Sequence, residues 1–133
     1  MKIKKIIIGS RGSKLALIYA ERARTELLKK SDIESVEIKS ITTTGDIITD
    51  VRVSEYGGKG AFCKLIEQEL LNKNIDIAVH ALKDMPTDET QGLLTNCFLE
   101  RNNPREILIS NGNKNIKELK PNAVIGTSSF RRE

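Results

Sequence analysis

The stretch "DIAVHALKDMP", from Asp76 to Pro86, decides which fold class the sequence is expected to have. It opens as a nearly continuous apolar run, then gives the polar residues His80, Lys83 and Asp84, and stops at a proline. A strand buried in a parallel sheet has this apolar pattern, and in an open α/β sheet ligands bind beyond the carboxyl ends of such strands. The pattern therefore predicts a buried strand whose polar end is a candidate ligand site.

The segments before this strand alternate between strand and helix patterns. Lys4 to Gly9 is apolar and β-branched and ends at a glycine, as a strand does. A segment with helical spacing follows, with Ser13 as its expected N-cap. Lys29 and Lys30 are expected in its last turn, where their positive charges would interact favourably with the helix dipole. The apolar positions at helical spacing are Ala16, Ala20, Ala23 and Leu27.

The alternation continues further along the chain. Val36 to Thr42 alternates in polarity like a strand with one wetter face. Residues 42–60 carry turn residues and little period, which predicts a long, mobile loop. Phe62, Ile66 and Leu70 then lie on one face of a predicted helix. Strands that alternate with helices predict an α/β fold with a largely parallel sheet.

The last part of the chain predicts a second structural unit. "RNNP", Arg101 to Pro104, breaks the pattern, and Ile107 to Ser110 and Ala123 to Gly126 are each expected to form a short strand. The letters "IGTSSFRR" echo "IGSRGS" near the N-terminus, which either a duplicated βα unit or chance would explain. We therefore divide the chain into a first α/β domain, 1–100, and a hinge with the opening of a second α/β domain, 101–133.

Composition narrows the function classes. Of the 133 residues, 38% are hydrophobic and 30% are charged, which is typical of a globular protein and too polar for a membrane protein. No apolar run approaches the roughly 20 residues that span a bilayer or the roughly 7 to 15 of a signal peptide, so a cytoplasmic location is expected. The formal charge of +4 attracts anions, but aromatic residues are only 4% and basic residues alternate with acidic ones. A small polycarboxylate or phosphate ligand is therefore favoured over nucleic acid.

The two cysteines, Cys63 and Cys97, lack the spacing of a metal site. Without an export signal, a disulfide between them is not favoured. We expect two free, partly buried thiols with structural roles, and no metal.

Four segments carry the polar residues from which a site could be built. Three follow predicted strands, namely residues 10–13, 80–84 and 127–132, and would line one rim of a parallel sheet. A helix start there offers N–H groups to an anion, serine adds hydroxyl donors, and arginine binds carboxylates through paired hydrogen bonds. The fourth is "GGKGAF", 57–62, with flexible glycines and a lysine charge, although the phosphate-binding motif GxxxxGK[ST] is absent.

Each segment also has a plain structural explanation. Ser13 would cap a helix, the glycine-rich segment would be a turn, and His80 would be a satisfied histidine of the core. Lys83 and Asp84 would form an ion pair, and the last arginines would be a solvated helix start. Taken one at a time, the segments favour these explanations.

Taken together, five segments resemble one family. They are "SRGSKLAL", "TTTGD", "GGKGAF", "DIAVHALKDMP" and "IGTSSFRR", and their order and spacing, from about Ile6 to Glu133, are similar to those of the porphobilinogen deaminase (hydroxymethylbilane synthase) family. The resemblance implies two α/β domains like those of type II periplasmic binding proteins and a smaller, cofactor-bearing third domain. This chain would comprise the first domain, incomplete without a later return segment, and the opening of the second.

The same resemblance implies a transferase of tetrapyrrole and haem biosynthesis. Such an enzyme deaminates porphobilinogen and joins four units into hydroxymethylbilane. Its dipyrromethane cofactor is covalently held by a cysteine that lies outside this chain and matches neither Cys63 nor Cys97. Asp84 matches the catalytic aspartate, which would stabilise the cation left by loss of ammonia and manage the proton. Porphobilinogen and its linear oligomers would be the partners, with no nucleic acid or membrane. The full enzyme would be monomeric, and this chain alone would be inactive.

The resemblance also assigns further site residues and shows two departures. Glu55 stands where the family commonly has a lysine, and the hinge is Asn103 to Glu106, "NPRE", instead of Asp-Pro-Arg-Asp. A non-catalytic module that binds small anions is the main rival function, and a nucleic-acid accessory protein is a weaker one. Lys59 and Phe62 match the active-site loop, and the positions that match binding of cofactor or substrate acids are Arg11, Ser13, Lys83, Thr127, Ser129, Arg131 and Arg132.

Overall fold

The computed structural model describes residues 3–43, 63–127 and 129. In these residues, strands and helices alternate first and short 3₁₀ helices follow. The strands and helices are β1 (Ile6–Arg11), α1 (Lys14–Leu28), β2 (Val36–Ile41), α2 (Lys64–Leu71) and β3 (Ile77–Ala78). The 3₁₀ helices span Leu82–Asp84, Asn111–Asn113 and Ile116–Glu118.

The three described strands form one parallel sheet in the order β2–β1–β3. Ile6 lies opposite Val36 in β2, and Ile8 lies opposite Ile77 in β3. The apolar, β-branched sequence of β1 suits a strand with a neighbour on each edge. The predicted α/β fold with a parallel sheet is confirmed for this part of the chain.

Helix α1 packs on the sheet through small residues. Ala20 and Ala23 are buried with Ile6, Ile8 and Val36, and these five residues form the main core cluster. Alanine at the predicted apolar positions allows the helix to approach the strands closely. Partly buried residues around the cluster are Leu27, Ile33, Ile38, Ile77 and Val79.

The segment before β3 packs on the sheet at Gly9. Ile75 is buried there, and a Cβ added to Gly9 would lie only 2.3 Å from the Cδ1 of Ile75. Asp76 fixes the same segment, because its carboxylate Oδ2 accepts a hydrogen bond from the Ile7 N–H at 2.7 Å. Its own N–H donates to the Ile7 carbonyl oxygen at 2.9 Å. The absence of a side chain at Gly9 therefore lets β3 dock against β1.

The predicted boundaries of β1 and α1 were wrong. β1 begins later and runs further than 4–9, because its pairing with β2 continues until Arg11 lies opposite Ile41. Helix α1 ends at Leu28, so Lys29 is its C-cap and Lys30 follows the helix, and neither lies in the last turn. The periodicity located both elements but not the residues at which they end.

β3 is much shorter than the strand predicted from Asp76 onward. Only Ile77 and Ala78 pair with β1. The Val79 N–H then donates to the Gly9 carbonyl oxygen at 3.0 Å, after which the chain turns into the first 3₁₀ helix. The rest of the apolar run is therefore outside the sheet.

Residues Glu100–Glu133 form a unit separate from Met1–Leu99. Its two predicted strands, Ile107 to Ser110 and Ala123 to Gly126, are not strands among the described residues, and side chains in them are up to 99% exposed. An apolar run becomes a strand only when a partner strand supplies the ladder of hydrogen bonds, and neither segment has one in the described part. The assignment of these units to domains of a larger protein stays a prediction.

Some predictions fall outside the described residues. Residues 44–60 of the predicted loop and Phe62 of the predicted helix lie there, while α2 begins at Lys64 and buries Ile66 as expected. In the part of the chain that is described, no helix is long and apolar enough to cross a membrane. The cytoplasmic location stays a prediction.

Candidate functional site

The turn between β1 and α1 is held by two serines. Ser13 caps α1, because its Oγ accepts a hydrogen bond from the Ala16 N–H at 3.4 Å, which confirms its predicted role as N-cap. Ser10 is fully buried, and its hydroxyl donates to the Ala16 carbonyl oxygen at 3.3 Å. A Cβ added to Gly12 would lie 2.9 Å from the Oγ of Ser40, so the turn packs closely on the end of β2. The start of α1 is therefore fixed beside the carboxyl edge of the sheet.

The segment after β3 forms a short 3₁₀ helix. The Asp84 N–H donates to the Ala81 carbonyl oxygen at 2.9 Å, and the Met85 N–H donates to that of Leu82 at 3.2 Å. Lys83 is exposed and Asp84 is half-buried. The salt bridges of the described residues include none between these two neighbours, so their explanation as an ion pair was wrong.

Charges from several elements act on His80. Burial lowers its pKa, since a charged imidazolium is disfavoured away from water. The carboxylates of Glu67 and Asp84 oppose this by raising the pKa, and the guanidinium of Arg11 lowers it further. The carboxyl ends of β1 and β3 and the first turn of α2 are therefore close together.

The same charges act on the thiol that precedes α2. Burial raises the pKa of Cys63 to about 11, and the Glu67 and Asp84 carboxylates add to the increase. Arg11 acts in the opposite direction. Two of the predicted polar segments, 10–13 and 80–84, thus contribute charge to one region of the fold.

His80 is the single histidine of the chain, and it differs from a satisfied core histidine. Its Nδ1 lies 3.9 Å from the Sγ of Cys63. Its buried Nε2 has no hydrogen-bond partner among the described residues, so these residues alone do not satisfy it as the sequence-based explanation expects. An unpaired buried polar atom costs about 1–3 kcal/mol, which a polar ligand at this atom would offset.

Glu67 is a member of the site that sequence reasoning missed. It lies in the first turn of α2, and its Oε2 accepts a hydrogen bond from the Thr90 Oγ1 at 2.9 Å. The sequence feature that could have identified Glu67 is its spacing from Cys63, because residues four apart lie on one face of a helix. That spacing places a carboxylate beside a thiol without revealing that His80 lies near both.

The two thiols differ more than predicted. Both are free, but Cys63 is buried and Cys97 is exposed, so the expectation that both are partly buried was wrong. The Cys63 thiol donates to the Asp84 carbonyl oxygen at 3.4 Å and lies 3.9 Å from the Met85 Sδ. Cys63 is therefore enclosed by the segment that carries Asp84.

The remaining predicted residues are in the second unit or outside the described residues. Within the second unit, the Ser129 N–H donates to the Thr127 Oγ1 at 3.1 Å. In the hinge sequence, the Asn103 Oδ1 accepts a hydrogen bond from the Arg105 N–H at 3.0 Å. Glu55, Lys59, Phe62, Arg131 and Arg132 lie outside the described residues.

The described part is an α/β domain with a parallel sheet, and it carries a half-buried carboxylate, a guanidinium and a capped helix start at the carboxyl edge, where ligands bind in folds of this class. A comparison with family models then assigns it further. The chain belongs to the porphobilinogen deaminase family, since the model described as "Porphobilinogen deaminase, dipyromethane cofactor binding domain" matches residues 6–133. The predicted family is confirmed.

Curated relatives agree with this assignment. The chain is 48% identical over 130 residues to the porphobilinogen deaminase of Bacillus subtilis (strain 168), and the match covers 98% of this chain and 41% of that protein. It is 45% identical over 129 residues to that of Chlorobium chlorochromatii (strain CaD3), covering 97% and 41%. With that of Geobacillus kaustophilus (strain HTA426) it shares 45% identity over 130 residues, covering 98% and 42%. The chain therefore spans about 41% of the length of the first of these relatives.

Proposed function

We propose that this chain supplies the N-terminal part of an enzyme that deaminates porphobilinogen and joins four units into hydroxymethylbilane, for haem and other tetrapyrroles. The observation that carries the proposal is that the segment bearing Asp84 contacts Cys63, which lies 3.9 Å from His80, and that the charge of Arg11 also acts on these two groups. The names of the relatives support the substrate. Porphobilinogen and its linear oligomers carry an acetate and a propionate on every pyrrole, so their site needs cations beside a catalytic carboxylate.

The acid groups of the substrate would be bound at the start of α1. Arg11 offers a planar guanidinium, whose charge-assisted hydrogen bonds contribute on the order of 1.5–3 kcal/mol each. Ser13 and the first N–H groups of α1 add neutral donors and the positive end of the helix dipole. Lys83 is exposed next to Asp84 and supplies a further, more mobile charge.

Asp84 would carry the chemistry. Loss of ammonia from porphobilinogen leaves a positive charge spread over the pyrrole ring, and a fixed carboxylate lowers the energy of that charge. The 3₁₀ helix holds the backbone of Asp84, and partial burial strengthens its interaction with a nearby cation relative to bulk water. The carboxylate can also accept a pyrrole N–H hydrogen bond and exchange that proton.

The residues of this chain fit a group that carries several carboxylates, such as the dipyrromethane cofactor. Arg11 and the helix start would hold its acid groups, and the Nε2 of His80, which has no partner among the described residues, is a further polar atom that a ligand would contact. Bound there, the cofactor supplies the pyrrole chain to which new units are joined. Cys63 does not fit as its covalent attachment point, because the thiol is buried and its pKa is raised to about 11. The attachment cysteine is thus proposed to lie outside this chain.

The remaining parts of the site are proposed from the family alone. The described sheet would belong to a first domain of the type II periplasmic-binding kind, and residues 101–133 would open the second. A monomeric, cytoplasmic enzyme without nucleic-acid or membrane partners is proposed. The residues that would complete the site are Lys59, Phe62, Thr127, Ser129, Arg131 and Arg132.

Replacing Asp84 with asparagine tests the proposal. The chain is joined to the rest of the Bacillus subtilis relative, in place of the segment that it matches, and single-turnover formation of product is measured. Asp84→Asn is expected to lower the rate by roughly 10²-fold or more, the scale of lost acid/base or electrostatic catalysis. Asp88→Asn, an exposed acid in the same region, is the matched control and should retain the parent rate.

The same experiment separates catalysis from simple anion binding. A non-catalytic module would use Arg11 and the helix start, which do not need Asp84. In that case the hybrid would bind porphobilinogen without turnover, and Asp84→Asn would leave binding equal or tighter. A hybrid with turnover that Asp84→Asn leaves near normal would remove Asp84 from the mechanism.

A further inference from the structure

We propose that Cys63, His80 and Met85 form a binding site for one Cu(I) ion. Cys63 immediately precedes α2, His80 lies two residues after β3, and Met85 immediately follows the first 3₁₀ helix. The Sγ of Cys63 lies 3.9 Å from the Nδ1 of His80 and 3.9 Å from the Sδ of Met85. A thiol thus has an imidazole nitrogen and a thioether sulfur as neighbours.

These separations match those of ligands around one metal ion. Ions of this size bind sulfur at about 2.3 Å and imidazole nitrogen at about 2.0–2.1 Å. Three-coordinate angles of about 120° then place sulfur about 3.8 Å from nitrogen and about 4.0 Å from a second sulfur. The two distances observed from the Cys63 Sγ, both 3.9 Å, lie close to these values.

The kinds of ligand select the ion. Thiolate and thioether sulfur favour Cu(I), whereas Mg²⁺, Ca²⁺ and Mn²⁺ favour oxygen ligands. Among the described residues, no group of three His, Cys, Asp or Glu side chains could hold a metal ion, and the proposed site instead takes a methionine as its third ligand. The site consequently suits a soft ion and not a zinc ion.

The surrounding charge favours a cation. Two carboxylates, Glu67 and Asp84, and one guanidinium, Arg11, act on both Cys63 and His80. Binding replaces the thiol proton, which passes to solvent, and the copper stays as Cu(I). The thiol hydrogen bond to the Asp84 carbonyl oxygen is lost in exchange for the metal bond.

The test is a competition for Cu(I) between the purified protein and a chromogenic Cu(I) chelator, under anaerobic reducing conditions. The parent carries Cys97→Ser, which removes the exposed thiol. The variants, in that background, are Met85→Leu, His80→Gln and Cys63→Ser. Circular dichroism checks that each is folded, and X-ray absorption counts the ligand atoms.

The parent is expected to bind one Cu(I) through two sulfurs and one nitrogen. Met85→Leu conserves volume, so its effect reports the lost ligand. Met85→Leu and His80→Gln should each weaken Cu(I) binding by at least about tenfold, because even the loss of an outer-shell partner of a metal has an effect of this size. Cys63→Ser should abolish Cu(I) binding. No binding by the parent, or equal binding by Met85→Leu and His80→Gln, would overturn the site in favour of ordinary packing or a thiol acting alone.

Discussion

Lys83 and Asp84 are neighbours in sequence that the fold places in different surroundings. The 3₁₀ helix leaves Lys83 exposed and Asp84 half-buried. The charge of Asp84 reaches Cys63 and His80, and a partly buried charge acts on its neighbours more strongly than one in water. Asp84 is therefore the residue of this segment whose charge acts on buried neighbours, whereas Lys83 is exposed to solvent.

Thiol labelling tests the contrast between Cys63 and Cys97. With a maleimide reagent near neutral pH, the folded chain should take up one label, at Cys97, because Cys63 is buried and its pKa is raised to about 11. Both thiols should react in denaturant. Mass spectrometry of the intact and digested protein gives the count and the position.

Cys97→Ser is the control, and it should take up no label while folded. Labelling of Cys63 at a rate comparable with that of Cys97 would contradict the buried position of the Cys63 thiol.

Whole elements were predictable where the local pattern and the tertiary partner agree. The alanine spacing and the Ser13 cap are sufficient to predict α1, because both act within the helix itself. For Ile107 to Ser110, the apolar pattern was present but no partner strand exists in the described residues, so no strand forms. The residues of the candidate site were likewise predictable only where the local pattern decides their position. Ser13 could be placed from sequence, whereas the approach of Glu67 to His80 depends on how α2 docks.

The contact between β1 and the segment before β3 is tested by Gly9→Ala. The added Cβ would meet Ile75 at 2.3 Å, and Ile75 is too buried to move freely. Overpacking of this kind lowers the free energy of unfolding by about 1–3 kcal/mol. Urea unfolding followed by circular dichroism gives the value.

Gly126→Ala is the matched control, since nothing lies within 4 Å of its added Cβ. It should change the free energy of unfolding by less than about 0.5 kcal/mol. Equal effects at both glycines would mean that the contact with Ile75 does not limit residue size at Gly9.

The ion pair between Lys39 of β2 and Glu69 of α2 makes the stability of the fold depend on pH. Hydrogen bonds from Lys39 and Asn74 lower the pKa of Glu69 below 4.5. Because the folded-state pKa is the lower one, the unfolded chain binds this proton first, and the contribution of Glu69 to stability is lost as pH falls below 4.5 towards the folded-state pKa. NMR titration of the Glu69 carboxyl should give a value below 4.5, which Lys39→Met raises.

Added salt should reduce the pKa shift of Glu69, because the side chains of Lys39 and Glu69 are both partly exposed. A Glu69 pKa that is the same with and without Lys39 would rule out the pair as its cause.

At the scale of the molecule, the residues proposed for the site belong to two separate units. Asp84, Arg11 and Ser13 belong to Met1–Leu99, whereas Thr127 and Ser129 belong to Glu100–Glu133. The chain spans 41% of the Bacillus subtilis relative, so most of the length of that enzyme has no counterpart here. The division of roles between the units is the part of the proposal that the family pattern alone supports.

We expect these 133 residues by themselves not to turn over porphobilinogen. A ligand with several carboxylates would be held from one side and would stay largely in water, where each charge interaction is weak. The cysteine that attaches the cofactor is proposed to lie outside this chain. Incubation with porphobilinogen, followed by assay for hydroxymethylbilane and by protein mass spectrometry, measures both product and bound pyrroles. Product, or a mass increase mapped to Cys63 or Cys97, would contradict this expectation.

The central position of β1 sets the order in which the chain can fold. Its contacts with the β2 region are comparatively local, as 31 residues separate Lys4 and Ser35, whereas 69 separate Ile7 and Asp76 beside β3. Loops of greater length close more slowly, so the β1–α1–β2 unit should form while the later chain is still leaving the ribosome. Asp84 and Arg11 come to act on the same groups, Cys63 and His80, only when β3 docks on β1, so we expect this region to assemble after the β1–α1–β2 unit.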